Sequence, residues 1–460
     1  MQEGTMEELL GPSRRYFDSG VTRPYAFRHK QLKQLKKALI KYEKPLHQAL
    51  YQDLKKSPEE SWVTETGFVL SEINIALRRL RRWMKPVKVP TNLLNFPSSS
   101  FVLPEPVGVV LIIGAWNYPF QLLMAPLVGA IAAGNCVVLK PSEHAPATAA
   151  VIRELLNEFF PNQYIHFVEG EGAAVVPPLV KAFRFDHIFY TGNAQVGKLI
   201  YGMAAEQLIP VTLELGGKSP CIVEADANIK VAARRIAVTK FSNAGQMCIA
   251  PDYVLVHASK KDALIKALQA NIRQFYSDDP ATHENFGRII NTRQFDRLDS
   301  YLQQGTIIHG GRRNRDQLFI EPTLIEQLPA DAGLLQEEIF GPILPILSFQ
   351  TMQEAREIVL RHPHPLALYV FTGSWQKEKE WMTGIAFGGG CVNNTSWHAT
   401  NPYLPFGGSG RSGIGAYHGR NSFDTFSHHK SILKTPAWFD PSMKYPPFKG
   451  KLWLFRWFVR

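Results

Sequence analysis

Cysteine is scarce in this sequence, with only Cys136, Cys221, Cys248 and Cys391 in 460 residues. They form no CxxC pair, and no histidine accompanies them at metal-ligand spacing. Neither a disulfide framework nor a metal site is therefore expected, and a reducing compartment fits best. An apolar leader is lacking too: MQEGTMEELLGPSRRYF turns from acidic to basic without a hydrophobic centre, so no secretory signal is expected and the protein is expected to be cytoplasmic. The longest apolar stretch, 122–139, is interrupted by Pro126, Gly129, Gly134 and Asn135, short of the ~20 residues of a membrane span. It reads as a buried helix, a turn and a buried strand. Internal repeats and low-complexity tails are also missing.

Acidic residues are outnumbered, and the net charge is +11. The cations are spread along the chain, however, and the densest cluster, RRLRRWMK at 78–85, ends a helical pattern where a solvated face accounts for it. With no nucleic-acid motif in sight, nucleic acid is not an expected partner. A chain of this length, 45% hydrophobic and 20% charged, has material for two large domains.

Leu32, Leu35, Leu39, Leu46, Leu50 and Leu54 recur at helical spacing among lysines, which predicts amphipathic helix on both sides of Pro45. A second such segment runs from about 59 to 84. Proline-rich text at 86–106 then breaks the helical signal and predicts short extended pieces, a candidate contact between subunits. From Val107 strands and helices alternate: VGVVLIIG, a helix after Pro119, CVVLK, a helix near 147–159, IHFVEG, and then DHIFYTGNAQVGKLIYG. That alternation predicts a parallel sheet covered by helices, with ligands at the carboxyl ends of its strands. The glycine-bearing turn Gly192–Gly197, with Asn193, lies between strand and helix and lets backbone approach a pyrophosphate, although its spacing is not GxGxxG. A second αβ series begins after Leu208.

Within that series lies FSNAGQMCIAPD, 241–252, with Cys248 among small and polar residues. A core strand would surround a cysteine with Val, Ile and Leu rather than Ser242, Asn243, Gly245 and Gln246. Two readings stand side by side: an inert thiol and a nucleophile brought to a substrate by an exposed turn. The glycines at 407, 408, 410, 413 and 415, interleaved with aromatics, predict an ordered loop near a site rather than a linker.

WNYPF, KPSE, TGNAQVG, LELGGKSP, GQMC, EEIFGP and LPFGGSGRSG occur in the order found in the NAD(P)-dependent aldehyde dehydrogenases, and the chain resembles that family from about Tyr16 to Tyr445. APDY after the cysteine and SGxGxYHG near the end look like the class 3, fatty-aldehyde-type branch. The resemblance implies an α/β fold with a Rossmann-like parallel-sheet cofactor domain, an α/β catalytic domain and a small oligomerisation arm. The expected division is 1–82 and 104–210 for dinucleotide binding, 211–416 for catalysis, 83–103 and 417–446 for the arm, and 447–460 for a tail.

The resemblance assigns Cys248 as the nucleophile and Asn117 as donor to the oxyanion, together with the cysteine's own N–H. It assigns Glu214 as the base for thioester hydrolysis. The apolar flanks Val211, Leu213 and Leu215 predict a carboxyl with a raised pKa. Lys140 and Glu143 match the adenosine-ribose positions, Gly192, Asn193 and Gly197 the pyrophosphate turn, and Glu338 and Phe340 the nicotinamide contacts. For Glu338 a helix-end ion pair, which Glu337 can equally make, is the competing reading. Because Glu143 repels a 2′-phosphate, NAD is the expected cofactor, with NADP accepted in this branch. Tyr118 and Phe406 are the candidate pocket residues, with Trp116 and Trp397 nearby in sequence. Asn393-Asn394 and Ser409 depart from common family residues and bear on the substrate pocket rather than the chemistry.

The expectation is therefore oxidation of medium- to long-chain aliphatic or aromatic aldehydes to acids, by a homodimer. The alternatives are a CoA-acylating relative, disfavoured by Glu214, a non-redox cysteine acyltransferase or hydrolase, disfavoured by the lack of a histidine beside Cys248, and a catalytically silent relative. For the tail, KLWLFRWFVR, an apolar block with Lys451, Arg456 and Arg460 fits peripheral contact with the inner membrane face. Packing over a tunnel mouth or a partner subunit is the favoured reading.

Overall fold

A computed structural model describes residues 3–459, so Arg460 lies outside the described residues. The six leucines of the first periodic segment are all fully buried on one helix, Tyr25–Leu54. It runs unbroken through Pro45 because burial of the leucine face outweighs one lost backbone hydrogen bond. The second segment is the short helix Pro58–Ser61, a π-helical turn Trp62–Thr66 and the helix Gly67–Trp83. The wider turn carries Glu65 and Thr66 into the interior, the kind of local irregularity that recurs at functional sites.

The apolar runs from Val107 onward form a six-stranded sheet in the order Gly413–Ile414, Val211–Glu214, His187–Thr191, Val109–Ile113, Cys136–Lys140, Ile165–Phe167. All pairings are parallel except that of the short edge strand Gly413–Ile414. The order in which strands are laid down reverses at Val109–Ile113, with Cys136–Lys140 on one side and His187–Thr191 on the other, so the loops leaving Val109–Ile113 and His187–Thr191, 114–120 and 192–193, border the crevice where such sheets bind ligands. The 122–139 stretch is the helix Gln121–Ala133 and the strand Cys136–Lys140, with Gly134 closing the helix at φ +95°. Among the described residues no helix is long and apolar enough to cross a membrane.

A seven-stranded sheet holds Pro220–Val223 and Tyr253–His257 at its centre, flanked by Ile343–Phe349 and Ala367–Phe371. Val211–Glu214 belongs to the first sheet, so the chain passes from one sheet to the other at 215–219, later than the 210/211 boundary expected. Gly413–Ile414, expected in the catalytic part, likewise pairs in the first sheet. The proline-rich segment supplies Val87–Val89 and Ser99–Pro106, which join Ser427–Lys434 in a separate antiparallel sheet. Among the helices with no counterpart in the sequence reading is Gly172–Ala182, where Pro177 and Pro178 sit inside the helix and mask its periodicity.

Candidate active site

Cys248 follows a turn that few sequences adopt. Asn243 and Ala244 are both left-handed, at φ 49° and 51°, and Gly245 follows at φ +75°. Such a conformation costs a non-glycine residue about 1–2 kcal/mol, so the surroundings must hold it. They do so through polar side chains. Glu60 accepts from the Ser242 hydroxyl at 2.9 Å and from the Asn243 N–H at 2.8 Å. The Gln246 amide donates to the carbonyls of Asn243 at 3.0 Å and Arg288 at 2.8 Å, and accepts from the Ile290 N–H at 3.0 Å. The Tyr369 hydroxyl donates to the Ile249 carbonyl at 2.6 Å.

Asn117 joins this turn to the first sheet. Its side-chain amide donates to the Gln246 carbonyl at 3.1 Å, and its own carbonyl accepts from Asn243 Nδ2 at 2.8 Å. An amide carries two N–H bonds, so this contact fixes the group and leaves one donor. Lys56 Nζ supplies a second bond to the Asn117 carbonyl at 2.9 Å and lies 3.9 Å from the centre of the Tyr118 ring. Glu65 pairs with Lys56 and accepts from the N–H groups of Phe120 at 3.1 Å and Gln121 at 2.8 Å. The sequence reading missed Lys56, Glu60, Glu65 and Gln246 as site residues. No spacing signal marks the first three, since they meet the site only in the folded chain.

Glu214 ends its strand at 3% exposure, and neither carboxylate oxygen has a hydrogen-bond partner among the described residues. Burial pushes its pKa well above the usual carboxylate value. Cys248 is half-buried, and burial raises its thiol too, with the Glu338 and Glu214 carboxylates adding to the shift. The backbone N–H groups of Cys248 and Ile249 act on the sulfur in the opposite direction. Nucleophile, carboxyl and Glu338 thus share one electrostatic neighbourhood.

Glu338 does not make the helix-end ion pair. It lies against Gly216 and Gly217, where a Cβ on Gly216 would overlap its carboxylate, and burial raises it to about 8. Neighbouring Glu337 instead accepts from the Tyr301 hydroxyl at 3.1 Å. The turn bearing Glu338 is gripped from two sides. Arg297 donates to the Ile339 carbonyl at 2.8 Å, while Lys218, paired with Asp252, donates to the carbonyls of Leu334 and Glu337 at 2.8 Å each. Phe340, at φ 50°, meets Trp116 edge to face at 5.2 Å, which brings the two sheets' loops together.

At the end of Cys136–Lys140, buried Lys140 pairs with Glu143 at 2.8 Å, and Glu143 accepts from the Gly172 N–H at 3.0 Å. Despite some burial, these bonds hold the Glu143 carboxyl down to about 2. Asn193 caps the helix Ala194–Glu206, accepting from the Val196 N–H at 2.9 Å, and Gly197 leaves room for Leu215. An ionised acceptor beyond Cys136–Lys140, a helix start beyond His187–Thr191 and a carboxyl at Glu338 fit a dinucleotide with two ribose diols.

Tyr118 and Phe406 are both buried. Tyr118 lies within electrostatic reach of Cys248, while Phe406 pairs through its backbone with Tyr417 and stacks on His418 at 5.0 Å. Tyr417, not singled out from the sequence, is 1% exposed and in the electrostatic neighbourhood of Glu214 and Cys248. Trp397 is 60% exposed.

Residues 5–432 match the sequence profile of the "Aldehyde dehydrogenase family". Staphylococcus aureus 4,4'-diaponeurosporen-aldehyde dehydrogenase is 46% identical over 97% of this chain and 97% of its own. Human aldehyde dehydrogenase family 3 member B1 is 45% identical over 96% and 94%. A solved structure described as the substrate-bound state of Staphylococcus aureus AldH superposes with a TM-score of 0.96 at 45% identity, covering 99% of each chain.

Proposed function

The chain belongs to the aldehyde dehydrogenase family, in its class 3 branch, and oxidises aldehydes to carboxylic acids with NAD; from that premise we propose that Cys248, Glu214 and Asn117 carry the reaction. The observation that carries this reading is Glu214, a buried carboxyl with two unpartnered oxygens in the electrostatic neighbourhood of a half-buried thiol. Cys248 releases its proton to solvent and attacks the aldehyde carbon as the thiolate. The free N–H of Asn117 and the Cys248 N–H stabilise the resulting alkoxide, each such donor contributing about 3 kcal/mol. NAD, when bound, supplies the hydride acceptor. Cys248 then holds the acyl group as a thioester, and Glu214 takes a proton from the water that cleaves it, releasing acid and thiol.

Lys140, Glu143, Gly192, Asn193, Gly197, Glu338 and Phe340 are the proposed cofactor contacts, with NADP accepted less well than NAD because of the Glu143 charge. Residues up to 214 other than the arm form the proposed dinucleotide-binding part, and most of 220–412 the catalytic part. Tyr118 and Phe406 are proposed pocket walls, with the aromatic group around Tyr417 beside them. Such walls favour longer aliphatic chains by ~0.8 kcal/mol per buried methylene. A kcat/KM series from propanal to decanal should therefore rise with chain length; a flat or falling series removes the apolar tunnel.

The strand Ser427–Lys434 pairs only on one side, and an open edge of this kind supports a homodimer built on the arm. The tail helix Leu452–Val459 packs against the turn Leu93–Asn95, with Leu452 and Trp453 at 59% and 69% exposure. Cover by a partner subunit or over the tunnel is the preferred role. Deleting residues after Lys449 should then change decanal kinetics without vesicles present; loss of liposome binding alone would favour the membrane role instead.

A further inference from the structure

Away from the catalytic turn, a cavity of about 430 Å³ lies between the strand Ile343–Phe349, the helix Met352–Leu360 and the turn Gly333–Gln336. Its size falls within the range of small-molecule sites. Four basic side chains line it, Lys218, Lys261, Arg361 and His362, and no acidic one does. Lys218 is spent on Asp252 and two carbonyls, and Lys261 pairs with Glu326 at 2.6 Å. Arg361 makes no ion pair among the described residues. Tyr253 also lines the cavity; it is 2% exposed, and its hydroxyl has no hydrogen-bond partner among the described residues. A buried hydroxyl left unpaired is costly, so it marks a place where a ligand acceptor would be stabilised. The rest of the wall is largely aliphatic, including Leu335, Ile346 and Ile358.

We propose that this cavity binds a small amphiphilic carboxylate, its head on Arg361 and the Tyr253 hydroxyl and its chain along the aliphatic wall, and that occupancy tunes cofactor affinity. Arg361 offers the planar donor pair that suits a carboxylate, and an aliphatic wall suits the chain better than it suits a free inorganic anion. The coupling route is short. Leu335 belongs both to the cavity and to the turn whose Leu334 and Glu337 carbonyls Lys218 holds, one residue before Glu338. The effect on cofactor rests on the reading of Glu338 given above; the binding itself does not.

Calorimetry with octanoate, butyrate and inorganic phosphate tests this on the full chain, with no turnover needed. Wild-type protein should bind octanoate more tightly than butyrate by roughly fourfold per methylene over the chain that fits, and saturating octanoate should change the NAD dissociation constant at least threefold. Arg361→Ala and Tyr253→Phe should each weaken octanoate binding at least fivefold and abolish the NAD effect, with propanal oxidation unchanged. Tyr253→Phe removes one oxygen that has no protein partner, so its melting temperature should match wild type. Octanoate binding unaltered in both variants would place the acid at the catalytic site and overturn the proposal. Binding of phosphate in preference to octanoate would overturn the carboxylate assignment. Loss of the NAD effect alone, with binding intact, would point to the role of Glu338 instead and overturn the coupling.

Discussion

Lys56 and Glu65 form an ion pair of 2.6 Å with neither side chain exposed, and the lysine also holds the carbonyl of Asn117. Glu65 in turn holds the N–H groups of Phe120 and Gln121. The pair therefore clamps the 117–121 loop from both ends. Burial pushes the Glu65 carboxyl up and Lys56 draws it back. The pair's worth to stability is the small difference of these terms.

Removing one partner exposes that difference. Lys56→Met leaves a buried carboxylate alone and should destabilise by about 3–5 kcal/mol. Lys56→Met combined with Glu65→Leu should recover part of the melting temperature, the rest being withheld because the Phe120 and Gln121 N–H groups lose their acceptor. Turnover should not recover, because the Asn117 carbonyl has lost a donor; a kcat deficit of about tenfold, ~1.4 kcal/mol in barrier, is expected. A double variant regaining both stability and kcat would reduce the clamp to a structural part.

Gly216 and Glu338 compete for one space. Gly216→Ala should push the Glu338 carboxylate aside and weaken NAD binding about tenfold while the fold persists. Glu338→Ala removes the carboxylate that supplies the three nearest atoms to the added methyl, so the double variant should bind NAD no worse than Glu338→Ala alone. Additive losses in NAD dissociation constants would disprove the steric link.

The alternating runs from Val107 onward are readable as strands because most of them are buried on both faces, and CVVLK and YVLVH coincide with observed strands. Val211–Glu214 is assigned to the wrong sheet by sequence order, since parallel pairing with His187–Thr191 is a long-range choice that local pattern does not carry. At the site, Cys248 stands out by its polar neighbours. The physical role of those neighbours is visible only in space: Asn243 and Gln246 spend their side chains holding a left-handed turn. Lys56 and Glu65 are hidden more deeply, because a lysine and a glutamate nine residues apart look like ordinary surface charge until both are found fully buried.

Glu143 offers a test in pH. Its folded-state pKa, about 2, lies below the ordinary carboxylate value of 4.5. The stabilisation is therefore present above the unfolded value and lost as pH falls from about 4.5 toward 2. Glu143→Gln should cost about 1–2 kcal/mol at pH 7, where the charged hydrogen bonds operate, and the two proteins should converge in strong acid. The same variant should raise the NADP-to-NAD ratio of kcat/KM about tenfold, since the repulsion of a 2′-phosphate is gone. A ratio unchanged by the substitution would remove Glu143 from cofactor choice.

The division of labour between Cys248 and Glu214 separates two half-reactions. Oxidation of the captured aldehyde precedes thioester hydrolysis, so a variant without the base should still complete the first. Glu214→Gln keeps the shape and removes the proton acceptor. It should release at most one NADH per site in a burst and then nearly stop, with an acyl group on Cys248. Because burial raises the Glu214 pKa above the ordinary carboxylate value, its basic form gains with rising pH; wild-type hydrolysis should climb with pH, and the slow hydrolysis left in Glu214→Gln should lose that rise. If Glu214 also helps to ionise the thiol, the burst in the variant slows at neutral pH and recovers in alkali, where Cys248 ionises unaided. Cys248→Ala should show neither burst nor turnover while retaining NAD binding. Intact-mass spectrometry decides the matter: a full burst without an adduct, or an adduct on Cys136, Cys221 or Cys391, would sink the assignment.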